Sequence, residues 1–232
     1  MKKFQLILVI QLFFNSSILF SQNFFFYYGV RGGPNFSNLL RDPNFERRNY
    51  EMNMFYHAGM YINFTFRTKN ALLDRMFAFQ TDILYSQKGA ERNLDGFLYR
   101  LKLHFIDVPL LAVFNIIDRF KGDRGLTFKI GGVPGYLIAA REITGRNLKT
   151  FTLQEGLKNY SFGLQAGAGA FVEDFTIEGK YEYGITDMNS VEGGPMVKHS
   201  IWIVALTFRL SNFGNKGSRM KQLKPLKDLL KD

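Results

Sequence analysis

Between Tyr160 and Thr186 the chain alternates in character with a period of two, and this pattern limits the fold more than any other feature. One parity reads Tyr160, Phe162, Leu164, Ala166, Ala168, Ala170 and Val172; the other reads Ser161, Gly163, Gln165, Gly167, Gly169 and Phe171. After Glu173-Asp174, Phe175, Ile177, Gly179, Tyr181, Tyr183 and Ile185 alternate with Thr176, Glu178, Lys180, Glu182, Gly184 and Thr186. Successive strand side chains point to opposite faces, so the spacing predicts a hairpin with one apolar and one polar face, reversing at Glu173-Asp174. The polar face is rich in glycine. A solvated strand gains nothing from so many glycines, whereas a narrow closed barrel needs small inward residues to make room for larger polar ones. The apolar face then points outward, towards lipid.

The same alternation recurs near 24–37, 54–67, 75–88, 97–115, 125–140 and 197–210, which with the two strands of 158–187 makes eight. In 54–67, Met54, Tyr56, Ala58, Met60, Ile62, Phe64 and Phe66 oppose His57, Gly59, Asn63, Thr65 and Arg67. Trp202, Val204, Leu206, Phe208 and Leu210 share one face of 197–210. The strand at 97–115 is irregular: Arg100, Lys102 and His104 take one parity, Asp107 and Pro109 the other. A β-bulge near Phe105, or a rim above the bilayer, reconciles them. Connections at 38–53, 89–96, 141–157 and 188–196 are assigned to the outer side, and those at 68–74, 116–124 and 173–174 to the inner side. Together these features predict an all-β fold, an eight-stranded antiparallel transmembrane up-and-down β-barrel. Closing the sheet leaves no unpaired backbone edge in hydrocarbon.

Residues 1–22 read as an export signal: Lys2 and Lys3, then an apolar run from Phe4 to Phe14 interrupted by Gln5 and Gln11, with cleavage after Ser21. The chain divides into this segment, a barrel at 23–210 and a basic periplasmic tail at 211–232. The sequence has no cysteine and three histidines, which excludes a disulfide framework, a cysteine nucleophile and a lipidated N-terminal cysteine. Its net charge is +10, or +8 without Lys2 and Lys3. An exported chain never meets the nucleoid, so the expected partners are outer-membrane lipid and lipopolysaccharide rather than nucleic acid.

Arg31, His57, Asp82, Glu178, Lys180 and Glu182 have lumen parity and are expected to form a polar network. Buried charge is costly unless paired, so these groups should neutralise one another and fill the barrel. Tyr56, Tyr85, Tyr99, Tyr136, Tyr160, Tyr183 and Trp202 lie towards strand ends, where interfacial aromatic girdles belong. With 25 Phe and 11 Tyr, the composition suits that arrangement.

Four segments resemble a known family. Gly29-Val30-Arg31-Gly32-Gly33-Pro34-Asn35-Phe36-Ser37-Asn38 is similar to its first strand, and Gln80-Thr81-Asp82-Ile83-Leu84-Tyr85-Ser86-Gln87-Lys88-Gly89-Ala90 to its third. Ile106-Asp107-Val108-Pro109-Leu110-Leu111 is similar to its fourth, and Tyr181-Glu182-Tyr183-Gly184-Ile185-Thr186-Asp187 to its seventh. In this order they resemble the PorT-like outer-membrane β-barrel family of the Bacteroidota, over nearly the whole mature chain. Asp82 departs from the pattern, where the family often has Glu, as does the C-terminal extension. The resemblance implies an eight-stranded outer-membrane barrel; some members are associated with type IX secretion and gliding motility.

No nucleophile elbow and no HExxH accompanies His57, His104 and His199, so no catalytic residues are assigned, and no cofactor or metal. The expected role is structural or interactive in the cell outer membrane. A place in the type IX secretion or gliding machinery, and a narrow pore for small solutes or ions, are the alternatives. The tail from Arg219 to Lys231 is basic, with leucines at 223, 226, 229 and 230, and is a docking candidate for a periplasmic or secretion-system protein.

Overall fold

A computed structural model describes residues 24–41, 51–66, 76–94, 97–117, 124–144, 147–151, 156–190 and 197–213. The described strands are β1 (Phe24–Arg41), β2 (Asn53–Phe66), β3 (Phe77–Leu94), β4 (Phe97–Asp107), β5 (Leu110–Ile117), β6 (Arg124–Thr144), β7 (Asn147–Phe151), β8 (Tyr160–Val172), β9 (Phe175–Gly184) and β10 (Val197–Phe213). All pairings are antiparallel, and β1 pairs with β10 from Phe26↔Phe213 to Arg41↔Val197, which closes the ring.

The ten segments occupy eight places around that ring. β4 and β5 both lie between β3 and β6, as one strand broken at Val108-Pro109, where proline supplies no N–H to a ladder. β7 and β8 both pair with β6, at Ala140–Thr144 and Arg124–Tyr136 respectively. The segment count therefore exceeds the expected eight although the circuit does not.

We call the end with the β1–β2, β3–β4, β6–β7 and β9–β10 connections the upper end. There the strands run further than the sequence predicts. β3 continues to Leu94 and pairs with β4 down to Leu94↔Phe97, and β6 pairs with β7 to Thr144↔Asn147. Most of the expected connection 89–96 is thus strand. Above the bilayer neither face has to be apolar, so the alternation fades while the ladder persists. At the lower end, Val172↔Phe175 brackets a two-residue turn with Glu173 at φ 55°, at the expected reversal. β10 extends to Phe213, so Ser211–Phe213 of the expected tail pair with β1. Residues 1–22 and the tail from 214 onward lie outside the described residues.

β4 itself has no bulge: Leu103, Phe105 and Asp107 are all buried, so of the two readings of 97–115 the rim fits this strand, and a bulge opposite Phe105 lies on the partner strand β6. His104 pairs with Ala139 and Phe105 with Leu137, so Ile138 is the extra residue. Below it the outward residues of β6 are Leu126, Phe128, Ile130 and Tyr136; above it Ala140 is buried and Arg141 exposed. The bulge exchanges the two faces of the strand.

Candidate functional site

The barrel interior is polar at mid-height. Arg31, Lys88, Lys129 and Lys180 are buried there with Asp82, Asp107, Glu178 and Glu182. These four cations and four anions cancel when His57 and His199 are neutral.

The charges gather into two clusters. In the lower one, Arg31 donates through Nη1 to Asp82 and through Nη2 to Glu178. Lys129 donates to Glu178 and to Gln80 Oε1 at 2.8 Å, while Gln80 Nε2 donates to Asp82 Oδ1 at 2.7 Å. Lys180 Nζ stands 3.5 Å from Glu178 Oε2. In the upper cluster, Lys88 Nζ lies 2.9 Å from Asp107 Oδ2 and 2.7 Å from Glu182 Oε1. His199 Nε2 is 2.9 Å from the same Glu182 oxygen, and Gln165 Nε2 donates to Glu182 Oε2 at 3.2 Å. Ionic groups out of contact with water are tolerated when paired and hydrogen-bonded in this way.

Backbone spacing makes the packing possible. Gly167 and Gly169 of β8 sit opposite Lys180 and Glu178 of β9. A Cβ at Gly167 would overlap the Lys180 side chain, and one at Gly169 would come within 2.9 Å of Glu178 Cγ. The glycines on the polar parity of the hairpin are thus the space occupied by its own charged ladder.

The four family-like segments meet inside this lumen. Asn35 Nδ2 donates to Ser86 Oγ at 3.2 Å and to the Gln87 carbonyl at 3.1 Å, and its Oδ1 lies 2.8 Å from His57 Nδ1. Ser37 Oγ accepts the Gly89 N–H at 3.0 Å. Lys88, Asp107 and Glu182, from the other three segments, make the upper cluster. Asp187 closes the last segment, its Oδ1 accepting from the backbone N–H groups of Asn189 and Val197 at 3.0 and 2.8 Å. Slight burial opposes ionisation of this carboxyl, but those two N–H donors and the nearby Lys158 and Lys198 hold it below the usual carboxylate range.

The six residues expected in the lumen are all buried. Arg31, Asp82, Glu178 and Lys180 come together in the lower cluster, Glu182 belongs to the upper one, and His57 is held by Asn35. The sequence reasoning missed Lys88, Lys129, Asp107 and His199 as members. Parity marked them: Lys88 continues Gln80-Asp82-Ser86, and Lys129 alternates with Phe128 and Ile130. The three histidines do not converge, since His104 lies on the outer side of β4 with Nδ1 2.5 Å from Tyr85 Oη.

The top of the lumen is apolar, whereas towards the bottom buried Asn63, Thr65, Thr127 and Thr207 surround a small apolar patch. Leu103, Phe105, Leu137, Ala140 and Met188 form a buried cluster at the top, backed by Leu101 and Leu157. Ala78, Leu111 and Val113 form another towards the bottom.

The outer wall has the opposite chemistry. Met60, Ile62, Ile83, Ile130, Leu164, Ile177 and Leu206 are exposed along its middle. Tyr56 and Tyr85 make a ring contact at 6.1 Å, Tyr136 and Tyr160 at 5.2 Å, and Tyr181 and Trp202 at 4.9 Å, all towards the upper end. Tyr183 faces outward under Lys198, 5.9 Å from its ammonium; the Tyr99 side chain lies outside the described set. Lower contacts are phenylalanine pairs, Phe26–Phe64, Phe77–Phe114 and Phe175–Phe208, at 6.2, 5.4 and 4.8 Å. From Tyr56 to Phe64 is about 27 Å of strand at ~3.4 Å per residue. With the usual tilt of ~40° that is about 20 Å of height, near the ~25 Å apolar band of such barrels.

A closed antiparallel ring with charge inside and grease outside defines an integral outer-membrane β-barrel. Residues 20–190 match the family described as outer membrane protein beta-barrel domain, and the chain belongs to that family. Similar solved structures include Ail, the attachment invasion locus protein of Yersinia pestis, at 15% identity over 81% of this chain and 99% of that one, with a TM-score of 0.39. Neisserial surface protein A is 10% identical over 79% of this chain and 97% of its own, with a TM-score of 0.38. OprG from Pseudomonas aeruginosa is 11% identical over 83% and 96%, with a TM-score of 0.36. No curated protein matches the chain.

Proposed function

We propose that the protein is a sealed, non-catalytic barrel with a structural and interaction role in the outer membrane, delivered there by the 1–22 export signal. The observation that carries this reading is the lumen itself: two ion clusters whose charges cancel between them, capped above by an apolar plug, with side chains where a solute path would run. That filling favours a scaffold over the narrow pore. The histidines stay in separate hydrogen-bonding environments, which favours a scaffold over a hydrolase. Planar-bilayer recording of the refolded chain tests it: silence is expected, and discrete conductance steps would replace the scaffold with a channel.

Four segments in family order, with members meeting in one interior network, support the finer assignment to the PorT-like branch of the Bacteroidota. A secretion or gliding role would act through the basic tail. Because β10 runs to Phe213, the informative truncation removes 214–232 and leaves the ring intact. Partners co-purifying with the full chain and lost on truncation would support that role. Unchanged partners would confine interaction to the wall and the upper end.

A further inference from the structure

On the outer wall above the tyrosine ring, Lys102 of β4 is paired in register with Arg141 of β6. Like charges directly opposite one another destabilise an antiparallel pair, so the arrangement needs a reason. Among the described residues neither has an acidic partner. Arg100, two residues further along β4, does have one: its Nε and Nη2 both lie 2.7 Å from Glu91 Oε2. Among the described residues the protein thus neutralises one cation of this face and leaves two adjacent ones without an acidic partner.

Arg141 is on this face only because of the bulge at Ile138. Without the extra residue, Arg141 would share parity with Val133, Gly135 and Leu137, which are buried in the lumen. The bulge puts Ala140 into the apolar plug and turns Arg141 outward beside Lys102. His104 is adjacent, its Nδ1 2.5 Å from the Tyr85 hydroxyl. Lys102 lies four residues above Ile106, the position level with Tyr85 and Tyr136. This is about 13 Å along the strand and about 10 Å in height at ~40° of tilt. Long cationic side chains there bend back to the head-group layer while their stems lie on apolar wall.

We propose that Lys102 and Arg141 form a site for the phosphate of an anionic lipid head group on the outside of the barrel. A phosphate between the two cations converts their repulsion into a pair of charge-assisted hydrogen bonds. This deepens the lipid-partner reading of the outer membrane protein and is independent of whether the lumen is sealed.

Native mass spectrometry of the full chain, released from detergent micelles containing equal phosphatidic acid and phosphatidylcholine, tests the site. Two cations near a lipid surface favour the anionic lipid by about thirtyfold. Lys102→Gln with Arg141→Gln should bring retention close to parity. Lys102→Glu should abolish the preference and raise the thermal midpoint, because it replaces repulsion across the strands with attraction. Opposite movement of lipid retention and stability is the signature that a merely structural pair lacks. Equal retention of both lipids by the natural chain, or undiminished preference in Lys102→Glu, overturns the site. Millimolar inorganic phosphate in lipid-free detergent supplies the last arm: saturable binding there, without lipid preference, would make it a free-anion site and overturn the head-group assignment. Bilayer conductance of the same variants should stay silent, so failure of this site and failure of the sealed-barrel reading register in different measurements.

Discussion

The middle of the barrel and its upper extension are built from the same strands with opposite polarity. At mid-height β6 sends Lys129 inward and Ile130 outward; above the bulge it sends Ala140 inward and Arg141 outward. β4 makes the same change without a bulge, with Asp107 inside and Ile106 outside lower down, Leu103 inside and Lys102 outside higher up. The surroundings account for the difference. Where acyl chains cover the wall, grease costs nothing outside and the interior holds what lipid rejects. Where head groups and water cover it, the extension folds like a soluble domain around Leu103, Phe105, Leu137 and Met188. The strand is indifferent; the solvent outside sets its polarity.

That contrast is most open to disproof at Glu178, which anchors Arg31, Lys129 and Lys180 at once. Glu178→Ala leaves buried cations uncompensated and should cost about 3–5 kcal/mol in urea unfolding of the refolded barrel. A loss below about 1 kcal/mol would mean that water already reaches the lumen. Next comes Leu103→Ala in the upper plug, expected to cost about 2–4 kcal/mol by cavity formation. Protease should then cut the extension while the lower barrel stays intact. Ile130 is 64% exposed on the wall, and Ile130→Lys should cost about 2–4 kcal/mol in a bilayer. Ile143→Lys, above the bulge on the same strand, should fall within about 0.5 kcal/mol of the natural chain. Equal costs at 130 and 143 would erase the boundary between the two regions. The smallest effect is expected at Asp187. Its carboxyl titrates below its unfolded value, so its stabilisation of the β9–β10 connection is complete above about pH 4 and fades as pH falls through the folded pKa. Proteolysis of that connection should rise on acidification, and the rise should disappear in Asp187→Ala.

The sequence is most readable where lipid forces the choice. The hairpin of β8 and β9 falls close to its expected limits, and its outward parity is Tyr160 to Val172 and Phe175 to Tyr183, as the alternation requires. Gly89-Ala90-Glu91-Arg92 reads as a connection because no apolar face survives there, yet it pairs with Tyr99–Lys102. The clash of parities near Phe105 reflects the change of surroundings along β4 and not a bulge in it, and the bulge on β6 was not legible, since Ile138-Ala139-Ala140 has no local marker. Membership of the ion clusters was half legible. Parity places each charge inside or outside, whereas the partner of Lys88 is fixed by the height at which β4 and β9 face it, a property of the closed ring.

The balanced interior has an evolutionary consequence. Glu182 answers both Lys88 and His199, and Glu178 answers three cations, so no single one of these positions can drift alone. Lineages that lose Lys88 should be found to have lost Asp107 or Glu182 as well. The heritable unit in this wall is then a matched set of side chains from strands far apart in the chain, and covariation between them would trace the ring without any coordinates.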